Sequence, residues 1–229
     1  ITPRLVSSAA SDVYKRQQVK DVTINNLKII RIGSDAKGFD AVKTWNEMEP
    51  KLFIVQEEKK RAAIEKMDSL ARIEKEKNNN YREKAIKLSS GVEIYYINKG
   101  KGIKPIEGDE IFFYYEGYLA INGVLFGTNR KDLMIAYDRY SAEDESKGWY
   151  DPSKITYSND MQLIQGFREV LMTMSVGDKV YAYIPSEMGY GNRAMGNRIP
   201  ANSDLEFIIE LVDISVSYTH LTLPTIPTV

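Results

Sequence analysis

The sequence predicts an α+β fold, in which antiparallel strands are covered on one face by a single helix. Three observations support this prediction. Short segments after residue 81 alternate apolar and polar residues, as half-buried strands do. The pair Asn122-Gly123 is a strong hairpin signal, and one later segment carries apolar residues at helical spacing. Several strands and one covering helix make an α+β domain.

The predicted elements follow one another closely along the second half of the chain. The strand segments are 92–97, 110–119, 124–126, 155–157, 179–185 and 205–211. The helix is indicated by apolar residues at i, i+3, i+4 and i+7, namely Phe167, Val170, Leu171 and Met174. In the last strand the alternation directs Phe207 toward the core and Glu206 and Glu210 outward.

A charged helix is predicted ahead of this domain, over residues 51–77, within a linker of 51–80. Its apolar residues form a narrow stripe at Ile64, Met67, Leu70 and Ala71. The run Asn78-Asn79-Asn80 is expected to end it, because Asn side chains compete for backbone hydrogen bonds. Two interpretations stay open: a solvated spacer, or a dimer formed through the 51–77 helix.

Composition limits the function. The 229 residues carry 31 Lys and Arg against 32 Asp and Glu, so the charge balance gives no reason to expect nucleic acid as a partner. No apolar run approaches the length of a membrane span. The chain has no Cys and a single His, His220, close to its end. We therefore expect no metal site, no cofactor and no Cys-His or Ser-His catalysis.

The two ends are interpreted as sequence that sequencing adapters encode. Residues 12–17 are the translation of a string that resembles a transposon mosaic end, and 216–221 follow from its reverse complement. We exclude 1–17 and 216–229 from the fold prediction. On this interpretation the natural segment runs from 18 to 215 and lacks its true N-terminus, so the compartment stays open.

Aromatic side chains are the best candidates for a binding site. The chain has 15 Tyr and 7 Phe, and most of the Tyr residues fall in predicted strands. Core packing accounts for many of them, but a concave aromatic pocket is how small binding sites are commonly built. The segment 189–194 matches a dinucleotide-binding pattern, yet Gly196 and Pro200 follow where that pattern requires a helix, which excludes nucleotide binding.

Several motifs, in order and at the right spacing, resemble one family. They are 114–119, 122–126, 163–167, 176–179, 184–187, 190–191, 199–200 and 205–211. The sequence from Ser89 to Ile214 is similar in these motifs to the FKBP-type peptidyl-prolyl isomerases. The resemblance implies an FKBP-type domain over 84–215, with a half-open antiparallel sheet wrapped around one helix. It also implies proline-containing polypeptides as partners and an enzyme that assists protein folding.

The resemblance also implies the site residues. Those matching the family's catalytic positions are Tyr115, Phe126, Ile164, Tyr190 and Phe207. Those matching its substrate-binding positions are Leu163, Phe167, Ile199 and Tyr157, with Ile155 as the neighbouring alternative to Tyr157. In the family, the backbone N–H at the Ile164 position and the Tyr190 hydroxyl donate hydrogen bonds to bound carbonyls. Rotation about an X–Pro bond needs no covalent intermediate, so such a site requires neither His nor Cys.

Three departures from the family pattern bear on activity. Gly127 stands where the family usually has Asp, and Phe167 stands where it usually has Trp. The insertion 128–153 is long enough to fold over the pocket. A module that binds proline segments without turnover is therefore the main alternative to an enzyme.

The region 18–50 is interpreted separately. Its segment 21–32 reads as a β-strand that Gly33 ends. It resembles the closing strand of cyclophilin-type isomerases, as if the end of a truncated domain preceded the linker. The equally weighted alternative is a short strand that caps the FKBP-type domain.

Overall fold

A computed structural model describes residues 40–215 of the chain. The strand predicted over 21–32, with its cyclophilin-like resemblance, lies outside the described residues. So do the adapter interpretations of 1–17 and 216–229. None of the described helices is long and apolar enough to cross a membrane.

The first element is a long helix, α1, which spans Ala41–Arg82. It begins earlier and ends later than the predicted 51–77. Asp40 accounts for the early start, because its carboxylate accepts the backbone N–H groups of Val42 and Lys43 at 3.0 Å. Pro50 lies inside the helix rather than before it. The part of α1 up to Val55 falls in a separate unit from the rest of the fold.

A single sheet of seven strands forms the body of the second unit. The strands are β1 (Ile86–Lys87), β2 (Glu93–Asn98), β3 (Glu110–Leu119), β4 (Leu125–Thr128), β5 (Ser153–Thr156), β6 (Lys179–Ile184) and β7 (Leu205–Ser215). Their order is β1-β2-β6-β7-β3-β4, with β5 also paired to β3, and every pairing is antiparallel. The two-residue strand β1, which pairs with β2, was not predicted.

The inner face of the sheet wraps around one helix, as the sequence predicted. This helix, called the inner helix below, spans Gln165–Thr173. Val170 and Leu171, on its apolar stripe, are fully buried. Its start packs closely on the sheet, because a Cβ added at Gly166 would lie 2.5 Å from Ile184. The predicted α+β class with an antiparallel sheet around one helix is confirmed.

The outer face of the sheet is covered by the second half of α1. Met67 and Leu70 pack against Tyr118 and Leu125, so this part of the helix is not the solvated spacer that the charge pattern suggests. Glu206 points outward as predicted, yet it is fully buried beneath the helix.

The helix continues through Asn78 to Arg82 because it packs on the sheet. The Asn78 side chain donates to the Glu206 carboxylate at 3.2 Å and is fully buried. Lys75 lies 3.3 Å from the same carboxylate, and the Tyr181 hydroxyl donates to it at 3.0 Å. Tertiary contacts of this kind override the weak local preference of Asn against helix.

The long insertion also packs on the outer side. It contains two short helices, α2 (Lys131–Ala136) and α3 (Ala142–Ser146). Leu133 and Tyr137 join the cluster formed by Tyr118 and Leu125. The expectation that the insertion folds over the pocket is therefore wrong for the segment around Leu133 and Tyr137, since these side chains are packed on the opposite face of the sheet.

Asn129 joins two strands that share one edge of β3. Its amide group donates to the Phe113 carbonyl at 3.1 Å and to the Asp151 carbonyl at 3.2 Å. Its side-chain oxygen accepts the Tyr115 N–H at 2.8 Å. The buried side chain replaces the strand partner that β3 lacks between β4 and β5.

Candidate active site

Four aromatic rings form the walls and floor of the candidate site on the inner face. Phe207 lies at their centre, 5.0 Å from Phe167 and 5.5 Å from Phe126 between ring centroids, both edge to face. Tyr115 meets Phe167 edge to face at 6.3 Å. Such edge-to-face pairs stabilise one another and hold each ring in place. β3, β4, β7 and the inner helix thus each contribute one ring.

Gly117 makes the approach of these rings possible. A Cβ at this position of β3 would lie 2.7 Å from the Phe126 ring and 3.0 Å from the Phe207 ring. No side chain fits there without moving both rings. Sequence reasoning used Gly117 only as part of a motif, although a glycine inside a strand is a recognised sign of close approach.

The remaining residues predicted for the site lie in the same apolar cluster. They are Leu163, Ile164, Tyr190, Ile199, Tyr157 and, beside them, Ile155. Ile199 and Tyr157 are buried, whereas Leu163, Ile164 and Tyr190 are half-buried and form the rim. The Tyr157 hydroxyl lies 3.4 Å from the Met172 carbonyl. It therefore points toward the inner helix rather than offering a hydrogen bond to the site.

Two polar groups on the rim are available as donors. Ile164 precedes the first residue of the inner helix, and its carbonyl accepts the Arg168 N–H at 3.1 Å. Within residues 40–215 neither the Ile164 N–H nor the Tyr190 hydroxyl has a hydrogen-bond partner. Half-buried donors of this kind are suited to a ligand carbonyl, because binding satisfies them.

Gly127 leaves open space beside Tyr115. A Cβ at Gly127 would meet only the Tyr115 side chain, with the hydroxyl at 3.9 Å. Burial raises the pKa of the Tyr115 hydroxyl, the nearby Tyr190 raises it further, and the Arg198 charge lowers it. The phenol is therefore neutral at physiological pH, as a hydrogen-bond donor must be.

Arg198 is the residue at the mouth that the sequence analysis did not select. Its Nη1 group donates to the Phe126 carbonyl at 3.4 Å, across the opening from the loop that carries it. Its position directly before the buried Ile199 was visible in the sequence, but nothing there showed that the side chain reaches β4.

Comparison with known proteins identifies the family of this fold and site. A family model described as FKBP-type peptidyl-prolyl cis-trans isomerase matches residues 101–212. FK506-binding protein 1A of Neurospora crassa is 34% identical over 125 residues, which cover 54% of this chain and 88% of that protein. The chain belongs to the FKBP-type peptidyl-prolyl isomerase family.

Two further relatives are similar to this FKBP-type chain. FK506-binding protein 1 of Dictyostelium discoideum is 32% identical over 122 residues, covering 53% of this chain and 96% of that one. The FKBP-type 22 kDa peptidyl-prolyl cis-trans isomerase of Escherichia coli is 31% identical over 136 residues, covering 59% and 56%. The family resemblance stated from the motifs is confirmed, and with it the prediction of a peptidyl-prolyl isomerase.

The site suits the chemistry of this isomerase family. Its walls are hydrocarbon, and its few polar groups are fixed donors on the rim. Within the described part of the chain, no group of three or more His, Cys, Asp or Glu side chains is arranged to hold a metal ion. These residues can contribute a shaped apolar surface, the exclusion of water and a few hydrogen bonds.

Proposed function

We propose that this FKBP-type isomerase catalyses rotation about X–Pro bonds in the aromatic pocket. The catalytic residues would be Tyr115, Phe126, Ile164, Tyr190 and Phe207. The X–Pro amide resists rotation because its C–N bond has partial double-bond character. Its twisted transition state is less polar than the planar ground state, so removing water from around the amide favours rotation. The mutually packed aromatic rings support this role, since they exclude water from the site.

The proline ring would rest on the floor of the pocket. Phe167 is buried and touches Phe113, Tyr115 and Phe207, so its position is fixed before a ligand arrives. The other substrate-binding positions would be Leu163, Ile199 and Tyr157, which line the same cluster. A preformed floor favours binding because little order is lost when the ligand enters.

The donors on the rim would hold the peptide backbone on either side of the proline. The Ile164 N–H would bind one substrate carbonyl and the Tyr190 hydroxyl another. Fixed donors stabilise the one arrangement of carbonyls that they fit, and removing such a donor from an enzyme commonly costs on the order of a hundredfold in rate. The lack of any other partner for these two groups in residues 40–215 supports this role.

The test is isomerisation of an Ala-Leu-Pro-Phe peptide by the full chain near 5 °C, where the uncatalysed reaction takes minutes. We expect acceleration by the wild-type protein and losses of at least about tenfold in Tyr190→Phe and Phe126→Ala. Glu210→Ala is the control, because Glu210 lies on the outer face and pairs with Arg130 and Lys179. Equal losses in all three variants would contradict the placement of the site.

A second candidate function is proline-segment binding without turnover. Gly127 favours it, because the position contributes no polar side chain beside Tyr115. In this case a proline peptide would bind the pocket with no acceleration of its cis–trans exchange. Tyr190→Phe would then weaken binding, measured by fluorescence anisotropy of a labelled peptide, while the exchange rate stayed at its uncatalysed value.

We also propose that the substrates are unfolded or partly folded polypeptides, so that the protein assists folding. The half-buried rim supports this, because a site open to the surface admits a long chain. Refolding of a protein limited by a proline isomerisation should become faster in the presence of the full chain. The Phe126→Ala variant should leave that refolding rate near its uncatalysed value.

Two copies of the chain are proposed to pair through the first part of α1. Trp45, Met48, Leu52 and Val55 recur at alternating intervals of three and four residues, the spacing of a two-helix seam. Their side chains are between 43% and 52% exposed, which leaves an apolar stripe open for a second copy. The proposed contact begins ahead of the predicted 51–77 segment and shares only Leu52 and Val55 with it, because Met67 and Leu70 already pack against the sheet.

Sedimentation equilibrium of the full chain tests this pairing. We expect a dimer for the wild type and a monomer for Leu52→Glu. Phe53→Glu is the matched control, because Phe53 is also exposed but lies outside the stripe. A monomeric wild type would contradict the proposal, and so would equal dissociation in both variants.

A further inference from the structure

The rim segment of residues 161–164 lies between β5 and the inner helix and carries two residues of the candidate site. Leu163 and Ile164 are half-buried, whereas Met161 is buried in the core cluster. The segment belongs to no helix or strand. Its Leu163 N–H donates to the Met161 carbonyl at 2.8 Å, which closes a turn of three residues. This turn ends before Ile164, so the direction of the Ile164 N–H depends on further contacts.

Arg168, in the first turn of the inner helix, holds both ends of this segment. Its side chain reaches back to the start, where Nη1 donates to the Met161 carbonyl at 3.4 Å. Its backbone N–H donates to the Ile164 carbonyl at the other end, at 3.1 Å. The Met161 carbonyl thus accepts two N–H groups, one from within the turn and one from the helix. The rim segment is therefore tied to the inner helix through one residue.

In the described part of the chain, no carboxylate pairs with the Arg168 guanidinium. The hydrogen bond to Met161 is the only one that this side chain makes within residues 40–215. The side chain is half-buried. A guanidinium is planar, always charged and more weakly hydrated than an ammonium group, so it is suited to hold a partly buried carbonyl in one place.

We infer that Arg168 is a positioning residue, which holds the Ile164 N–H in the direction of the substrate carbonyl. This inference rests on the proposed isomerase site, in which that N–H is one of two donors on the rim. A donor stabilises one arrangement of the substrate only while its own direction is fixed. A small displacement of a binding group lowers the rate strongly. Arg168 thus acts on the reaction through Ile164 and not by contact with the peptide.

The first test is the isomerisation of an Ala-Leu-Pro-Phe peptide by variants of the full chain. Arg168→Met keeps an unbranched side chain but removes the side-chain donors, so kcat/KM should fall about tenfold. Arg168→Lys retains a donor on a flexible chain, and should stay within about threefold of the wild type. Arg72→Met is the matched control, because Arg72 also donates to a backbone carbonyl, that of Asp68 at 3.3 Å, but on α1. It should leave kcat/KM unchanged.

Double variants show whether Arg168 acts through the Ile164 N–H. Ile164→Pro removes this N–H, and Ile164 has φ −57°, which a proline ring adopts. In the Ile164→Pro background, Arg168→Met should lower kcat/KM by less than about twofold, because the donor that it positions is gone. In the Tyr190→Phe background the same change should keep its full effect of about tenfold, since the Tyr190 hydroxyl is an independent donor.

Amide hydrogen exchange is a second measurement, which does not require Ile164→Pro to fold. In Arg168→Met the Leu163 N–H, which donates to Met161, should exchange about fivefold faster because the turn opens more often. The N–H of Ile209, in the fully buried part of β7, should exchange at the wild-type rate. Arg72→Met should change neither rate.

The outcomes separate this inference from the proposed function. Full activity of Arg168→Met, an equal loss in Arg72→Met, or an unchanged exchange rate of the Leu163 N–H would overturn the role of Arg168 and leave the isomerase site in place. An undiminished effect of Arg168→Met in the Ile164→Pro background would also overturn it, because Arg168 would then act by another route. Absence of catalysis by the wild-type chain would overturn the isomerase site itself.

Discussion

The two faces of one sheet bury their side chains in different ways. On the inner face, Phe113, Tyr115 and Phe207 meet the inner helix through hydrocarbon and ring contacts. On the outer face, Glu206 and Glu116 are buried beneath α1 and the insertion, and tyrosine hydroxyls donate to both carboxylates. Neighbouring residues of the same strands therefore face two different environments.

This difference indicates how the fold divides its tasks. A pocket whose walls offer only apolar contacts and a few donors can bind and release a substrate, since no charge has to be stripped of water when the ligand enters. The outer face makes a permanent contact with α1, in which the buried carboxylates of Glu206 and Glu116 have hydrogen-bond partners. The helix must occupy one position on the sheet for the bonds from Lys75 and Asn78 to Glu206 to form. A buried ionic cluster specifies geometry more than it adds stability.

Phe126→Ala should show the largest effect, and it should affect both properties of the inner face. Removing the ring takes away its packing on Phe207, which costs about 3 kcal/mol of unfolding free energy for a buried Phe. The loss of the pocket wall should lower kcat/KM on the order of a hundredfold. Urea unfolding and the peptide assay measure the two. Activity retained within twofold would contradict the site.

Glu206→Ala should show the next largest effect, on stability alone. It removes the acceptor of Lys75, Asn78 and Tyr181, and leaving such partners unsatisfied costs about 3 kcal/mol. Glu206→Gln keeps an acceptor oxygen and should cost about 1 kcal/mol. In both variants the folded protein should isomerise peptides at the wild-type rate within twofold. A large loss of activity would show that the two faces are coupled.

Gly123→Ala should disturb the contact between α1 and the β3–β4 hairpin. Gly123 has φ +72°, and an added Cβ would lie 2.3 Å from the Ala71 carbonyl oxygen, so both strain and a clash result. We expect a loss of about 2 kcal/mol in thermal or urea unfolding. Gly196→Ala is the control, since its φ is +57° with open space around it, and it should cost only about 1 kcal/mol. Equal losses would show that α1 does not press on the hairpin.

Glu116→Gln should have the smallest effect, and its sign should depend on pH. Burial raises the pKa of Glu116, while the Tyr118 hydroxyl and the charges of Lys77, Lys179 and Arg130 lower it. A carboxyl with a raised pKa stabilises the fold while protonated, and this stability is lost as pH rises through the folded pKa. The variant does not titrate, so it should gain stability relative to wild type from about pH 4 upward. A relative loss over that range would contradict the direction of the shift.

The inner face was predictable from the sequence because its signals are local. The helical spacing around Val170 and the alternation of β7 mark one apolar side each, and both elements then meet in one core. The site residues could be predicted because the motifs stand in the chain in the same order as in the FKBP-type family. Gly117 was part of such a motif, but the clash that makes it necessary depends on Phe126 and Phe207, which become neighbours only in the folded sheet.

The outer face could not be predicted because its contacts join distant segments. Asn78 and Glu206 are 128 residues apart, and each alone is typical of a solvent-exposed position. The same holds for Asn129, whose bonds to Phe113 and Tyr115 follow from the spacing of three strands. Arg198 lies in a loop without periodic pattern, so only the structure shows that it reaches Phe126.

The most direct test of the account is an NMR titration of the ¹⁵N-labelled full chain with an Ala-Leu-Pro-Phe peptide. We expect exchange broadening and shifts at the amides of Phe126, Ile164 and Tyr190, because the peptide binds and isomerises on the inner face. The amides from Ala71 to Asn78, on the outer face, should stay unchanged. Perturbation centred on Ala71 to Asn78, or peptide exchange that accelerates while the pocket amides do not respond, would contradict it.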